Sequence, residues 1–166
     1  MEIQNQNKSS TSVLDWHELD TSDLDSVKNF SNWFKAKYTS LNLLINNAGI
    51  HYITAAVAEE SRRSKQGYDL SFATNYFGHF YLTELLLPVM KWGRIINVAS
   101  TYHFLASARS VAVGDDHAPP PFSVVGSDYE QAYPTSKLAQ ILFSKELQRR
   151  LSSRGFVCIV LYSNLG

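Results

Sequence analysis

The chain has 166 residues, 45% of them hydrophobic and 18% charged, which is enough to bury one sizeable core and gives no compositional sign of disorder. Fifteen basic residues balance fifteen acidic ones, so no global field draws nucleic acid, and no Lys/Arg block flanks an amphipathic membrane-binding stretch. The one cysteine, Cys158, lies in an apolar run and reads as a small buried hydrophobe with no internal disulfide to make.

Residues 1–12 are polar and form the expected disordered start of a single domain spanning 1–166. They lack the apolar core of a signal peptide, and no later run is long enough to cross a bilayer, so a cytoplasmic location is the expectation. Thr21-Ser22-Asp23 offers a helix cap, after which Leu24, Val27, Phe30 and Phe34 recur at helical spacing to about Tyr38. The continuous apolar run Leu41 to Ile45, stopped by Asn46-Asn47-Ala48-Gly49, suits a strand buried on both faces. A longer helix is expected from about Gly67 to Met90, with Tyr68, Phe72, Tyr76 and Phe80 repeating along it and Pro88 near its end. Arg94 to Ala99 is a second buried strand. Residues 101–128 form a long loop holding Pro119-Pro120-Pro121, of a length that goes with lids or mobile insertions. Helical spacing returns from about Tyr129 to Arg154, with Gly155 as its stop, and the strand from Phe156 to Tyr162 follows.

Helix and strand alternate in the pattern of a parallel sheet covered on both faces, a three-layer α/β/α arrangement that right-handed crossovers make doubly wound. Ligands of such sheets sit beyond the carboxyl ends of the strands, which here carry Asn47-Ala48-Gly49, Ser100 and Asn164-Leu165-Gly166.

Tyr133 and Lys137 stand four apart on the last helix, on one face and within reach of each other. An ammonium beside a phenol favours the phenolate, so Lys137 is expected to draw the Tyr133 pKa down from about 10 toward working pH, as a general acid/base requires. Pro134 restrains Tyr133 toward extended backbone, which places Tyr133 at the helix start. The Tyr133 and Ser100 hydroxyls and the Lys137 ammonium are expected to converge on one cleft. Tyr and Lys at this spacing also occur on ordinary helices, so the pair gains its weight from its companions.

Those companions are Asn46-Asn47-Ala48-Gly49, then Asn75 within Thr74-Asn75-Tyr76-Phe77-Gly78, then Asn97-Val98-Ala99-Ser100, ahead of Tyr133-Pro134-Thr135-Ser136-Lys137. With these four motifs in this order, from about residue 13 onward, the chain resembles the short-chain dehydrogenases/reductases. The runs Gly78 to Pro88 and Ser136 to Phe143 are most similar to the retinol-dehydrogenase-like branch. The resemblance implies a partial Rossmann-like fold, an oxidoreductase acting on a lipophilic carbonyl or alcohol, and NADP(H) or NAD(H) as cofactor, with NADP favoured by the branch. It further implies that Tyr133 exchanges the substrate proton, Lys137 also bonds the nicotinamide ribose, and Ser100 donates where charge develops on oxygen. Asn75 holds the fourth catalytic position, in a locally distorted helix with a water linking Lys137 to solvent. Asn47, Ala48 and Gly49 let the adenosine side of the cofactor approach the backbone, unless the motif is a plain strand-ending turn. Asp20 contacts the adenine amino group or caps the helix that follows.

His51, His79, His103 and His117 form no metal-ligand spacing with Cys158 or with a carboxylate pair; they read as surface or supporting residues, and no metal is expected. The glycine-rich turn that binds pyrophosphate in relatives is missing, since the first glycine is Gly49, and with it the expected first βαβ unit and the residue that selects NAD or NADP. Leu165 stands where relatives have proline. Three readings stay open: a reductase with impaired cofactor affinity, a non-catalytic module that dimerises through the helices near 67–90 and 129–154, and a nucleotide-sugar epimerase or dehydratase, which the Asn75 and Ser100 contexts disfavour.

Overall fold

The computed structural model describes residues 13–51, 59–107 and 129–163. The polar start, most of the long loop with His117, and Asn164-Leu165-Gly166 lie outside the described residues.

Helix α1 (Leu24–Lys37) begins where the Asp23 carboxylate accepts the Asp25 amide at 3.0 Å, and carries Asp25 in its first turn and Lys35 and Lys37 in its last, each complementing the helix dipole. Asp20 is not the cap. Its carboxylate accepts from the amide and hydroxyl of Ser22, at 2.8 and 2.7 Å, and closes a turn ahead of the helix.

Strands β1 (Leu43–Asn46), β2 (Gly93–Ser100) and β3 (Phe156–Ser163) pair in parallel in that order, with Asn46 opposite Asn97 and Ser100 opposite Ser163. The expected adjacency and direction are both present. The single long helix is interrupted, however. Asp69 caps the short helix α2 (Leu70–Phe72), a π-helical turn (Ala73–Phe77) follows, then α3 (Gly78–Leu86) and a 3-10 turn at Leu87–Val89 around Pro88. Helix α4 (Tyr129–Leu151) contains Pro134, so Tyr133 is helical, one turn in from the start, and not extended. Pro134 lies just past the first turn and so forgoes one bond of the helix ladder, to the carbonyl four residues earlier.

Val27 of α1, Leu82 and Leu86 of α3, and Leu147 and Leu151 of α4 pack on Leu44, Ile95 and Phe156 of the sheet. All three helices therefore share one face. The reason is topological: β1 to β2 and β2 to β3 step the same way across the sheet, and right-handed crossovers then place their helices on the same side. On the other face Leu43, Ile45, Val157 and Leu161 are 47–54% exposed. The strands are thus not buried on both sides, β1 alternating between exposed and buried, and among the described residues nothing supplies the third layer of the expected sandwich.

Polar side chains cross the core. The Asn46 amide donates to Thr83 at 3.1 Å and to Asn97 Oδ1 at 2.8 Å, and Asn97 donates to Ser144 at 2.8 Å, linking α3 to α4 through the sheet. His79 is buried too, with Nδ1 3.0 Å from the Asn75 carbonyl oxygen and 3.2 Å from the Gln140 amide nitrogen. It belongs to the core and not to the surface. Burial lowers its pKa from 6.5 to about 4, so it stays neutral. Because the unfolded chain takes up this proton near 6.5 and the folded chain resists until about 4, stability should fall as pH drops through that window. Thermal midpoints measured across it should decline, and less steeply in His79→Gln; equal slopes would assign the decline elsewhere.

Candidate active site

The carboxyl ends of β1 and β2, the π turn and the second turn of α4 meet at one edge of the sheet. Asn46 is fully buried, whereas Asn47, Ala48 and Gly49 come out to solvent just beyond it. Asn75, wholly buried in the π turn, accepts the Ile50 amide at 2.8 Å and donates to the Ile50 carbonyl at 3.0 Å and to the Ser136 hydroxyl at 3.0 Å. One side chain thus fixes the exit of β1 against the start of α4. The wider π turn lets a helical asparagine face inward without giving up its own backbone bonds.

Ser100 is the last residue of β2 and is fully buried; its hydroxyl lies near enough to the Tyr133 phenol to work against the rise in its pKa, and it accepts the Tyr102 amide at 3.3 Å. Lys137, one turn on from Tyr133, is buried as well. Its Nζ donates to the Val98 carbonyl at 2.9 Å and lies 5.5 Å from the centre of the Tyr133 ring. A methyl group on Gly49 would come within 3.3 Å of Asn75 Oδ1 and 3.4 Å of Lys137 Nζ, so the bare glycine backbone faces both groups directly. Tyr133, Ser100, Lys137, Asn75 and Gly49 are thus together. Asp20 is exposed ahead of α1, where its carboxylate bonds Ser22 and none of them.

The electrostatics differ from the expectation. Loss of hydration lowers the Lys137 pKa from 10.5 to about 8. The Tyr133 phenol is raised, not lowered: burial outweighs the hydrogen bond from Ser100, and Tyr102 adds to the rise. Lys137 fails to depress it because the ammonium is turned to the Val98 carbonyl and is itself desolvated. As it stands, the site holds a protonated phenol able to give a proton.

Two neighbours were not singled out by the sequence. The His51 ring stacks on that of Tyr133, with centroids 4.0 Å apart and planes 20° apart, and Tyr102 meets both rings edge-on. His51 stands two residues past Gly49 at a strand's carboxyl end, and that position was the available signal. Cys158 is half-buried, with its thiol pushed up to about 11. Among the described residues no group of three or more His, Cys, Asp or Glu could hold a metal ion, and no helix is long and apolar enough to cross a membrane.

The hydroxyls and the ammonium gather at the carboxyl edge of a parallel sheet, where open α/β sheets bind their ligands. The short chain dehydrogenase family profile matches residues 2–112, and the chain belongs to that family, in its retinol-dehydrogenase-like branch. The matched stretch includes Asn46 to Gly49, Asn75 and Ser100 and ends ahead of Tyr133 and Lys137. The chain is 35% identical over 150 residues to short-chain dehydrogenase TIC 32 A, chloroplastic, of Brassica napus, covering 86% of this chain and 43% of that protein. It is 32% identical over 170 residues to retinol dehydrogenase 12 of Bos taurus, covering 99% and 48%. A metagenomic short-chain oxidoreductase solved in complex with NADP superposes with a TM-score of 0.67 at 17% identity, over 99% of this chain and 65% of that one, a likeness of fold. The chain spans less than half the length of these curated relatives.

Proposed function

We propose that the chain carries the proton-transfer half of an NAD(P)-dependent oxidoreductase acting on a lipophilic alcohol or carbonyl. The carrying observation is the Ser100–Tyr133 hydroxyl pair, backed by a desolvated Lys137 and opened to one side by Gly49. Tyr133 gives its proton to, or takes it from, the substrate oxygen, and Ser100 donates to that oxygen as charge builds on it. Among the described residues Lys137 uses one of its three N–H groups, on the Val98 carbonyl, which suits it to the hydroxyls of a nicotinamide ribose; the glycine backbone at Gly49 leaves room beside it. The bound nicotinamide supplies the hydride. The 166 residues contain no glycine-rich phosphate turn, so the chain as given should hold either dinucleotide weakly. NADP is the favoured form by branch.

The test is nicotinamide-linked turnover on a panel of lipophilic alcohols and aldehydes, run with the chain as given and with the chain joined to a relative's glycine-rich βαβ unit, each beside its Tyr133→Phe counterpart. Turnover that Tyr133→Phe leaves intact would defeat the proposal.

A second reading, a dimerising module, rests on Phe80 of α3 and Leu142 of α4, which are 38% and 44% exposed beside Phe143. Sedimentation should then show a dimer that Phe80→Glu dissociates; a monomer throughout would remove this reading.

A further inference from the structure

We infer that His51 is a positioning residue for the Tyr133 phenol, holding its ring by stacking; the inference rests on the proton-transfer reading of that site. The imidazole lies on the phenol ring at 4.0 Å with planes 20° apart, and Tyr102 closes the group at 5.3 Å from His51 and 5.8 Å from Tyr133, both edge-on. Edge-on and stacked contacts together oppose both tilting and sliding of the phenol.

The stack is itself anchored. Asn75 grips both the amide and the carbonyl of Ile50, so the backbone that delivers His51 is fixed one residue earlier. The same Asn75 amide donates to Ser136 at 3.0 Å, and Ser136 donates to the Tyr133 carbonyl at 2.7 Å. Tyr133 is therefore held from two sides by one asparagine: its backbone through Ser136 and its ring through Ile50 and His51. With the ring so held, the hydroxyl stays beside Ser100, where a proton must leave in a defined direction.

Burial holds the His51 pKa below its ordinary value, so near neutral pH an uncharged ring covers the phenol, in keeping with the raised pKa of Tyr133. Taking that cover away lets water reach the phenol and lowers its pKa again.

The experiment follows Tyr133 itself. In the full chain labelled at the tyrosine ζ carbon, the Tyr133 resonance is identified by its loss in Tyr133→Phe and titrated in the parent, His51→Ala and His51→Phe. His51→Ala should ionise at lower pH than the parent and flip its ring faster, whereas His51→Phe, which keeps the stack, should match the parent. If His51→Ala does not fold, His51→Leu, which keeps bulk and loses the ring, gives the same comparison. A parent-like titration in His51→Ala or His51→Leu overturns the inference, as does His51→Phe behaving like His51→Ala. Turnover of Tyr133→Phe bears only on the proton-transfer reading, so the two fail separately.

Discussion

Tyr133→Phe should lower turnover by about a thousandfold, within the range that loss of a positioned acid/base costs, while leaving fold and cofactor affinity unchanged. The ring survives the substitution, and with it the stack on His51 and the edge contact with Tyr102. What goes is the hydroxyl beside Ser100. Ser100 cannot take over, since a serine hydroxyl is a far weaker acid, and the Lys137 ammonium points at the Val98 carbonyl, 5.5 Å from the Tyr133 ring centre. Steady-state rates beside a dinucleotide titration separate a lost proton from lost binding. A drop of less than about tenfold would mean that water or another group moves the proton.

Gly78→Ala should destabilise the chain by about 3 kcal/mol, near the top of the range for overpacking, read from a denaturant melt. The sign is the informative part. In an open helix, replacing glycine by alanine stabilises by about 1 kcal/mol. At Gly78 the added carbon would sit 2.0 Å from the carbonyl oxygen of Thr21 and 2.8 Å from its carbonyl carbon, both backbone atoms that cannot rotate aside. Helix α3 would have to back away from the turn that leads into α1. Since Gly78 directly follows the π turn, Asn75 would move with it, and the grip on Ile50 would loosen. A neutral or stabilising effect would show that this approach of helix to turn is slack.

Much of this arrangement could be read from the chain alone, because periodicity and turn residues act locally. Three strands and the helices between them follow from the spacing of apolar residues, and Asp23 was legible as a cap. Asp20, three residues earlier and of the same type, was not separable from it, since only the course of the backbone decides which carboxylate meets the free amides. The gathering of Tyr133, Ser100, Lys137 and Asn75 followed from motif order. The interruption after Phe72 has no local signal in periodicity, as one extra residue in a helical turn shifts the apolar stripe only slightly. The sheet face left uncovered among the described residues was hidden for a different reason: Leu43 to Ile45 is apolar throughout, and a continuous run looks the same whether one side or both are covered. The pKa of Tyr133 failed for a third: spacing gives nearness of Lys137 but neither the direction of its ammonium nor the hydration both groups lose.

The asparagines that cross the core also act as a spelling check on strand pairing during folding. Hydrophobic pairing alone would accept several alignments of two apolar strands, because Leu, Ile and Val replace one another with little loss. Asn46 and Asn97 sit opposite each other and bond at 2.8 Å, so a shift of β1 by two residues, which keeps every side chain on its own face, would part them and leave the buried Asn46 amide unpaired. A shift of β1 by one would turn Asn46 out and bring Ile45 in, breaking its contacts with Thr83 and Asn97. Only the alignment that brings Gly49 to Lys137 leaves every partner in place, so the chain reaches a correctly assembled site by rejecting sheets that are merely greasy enough.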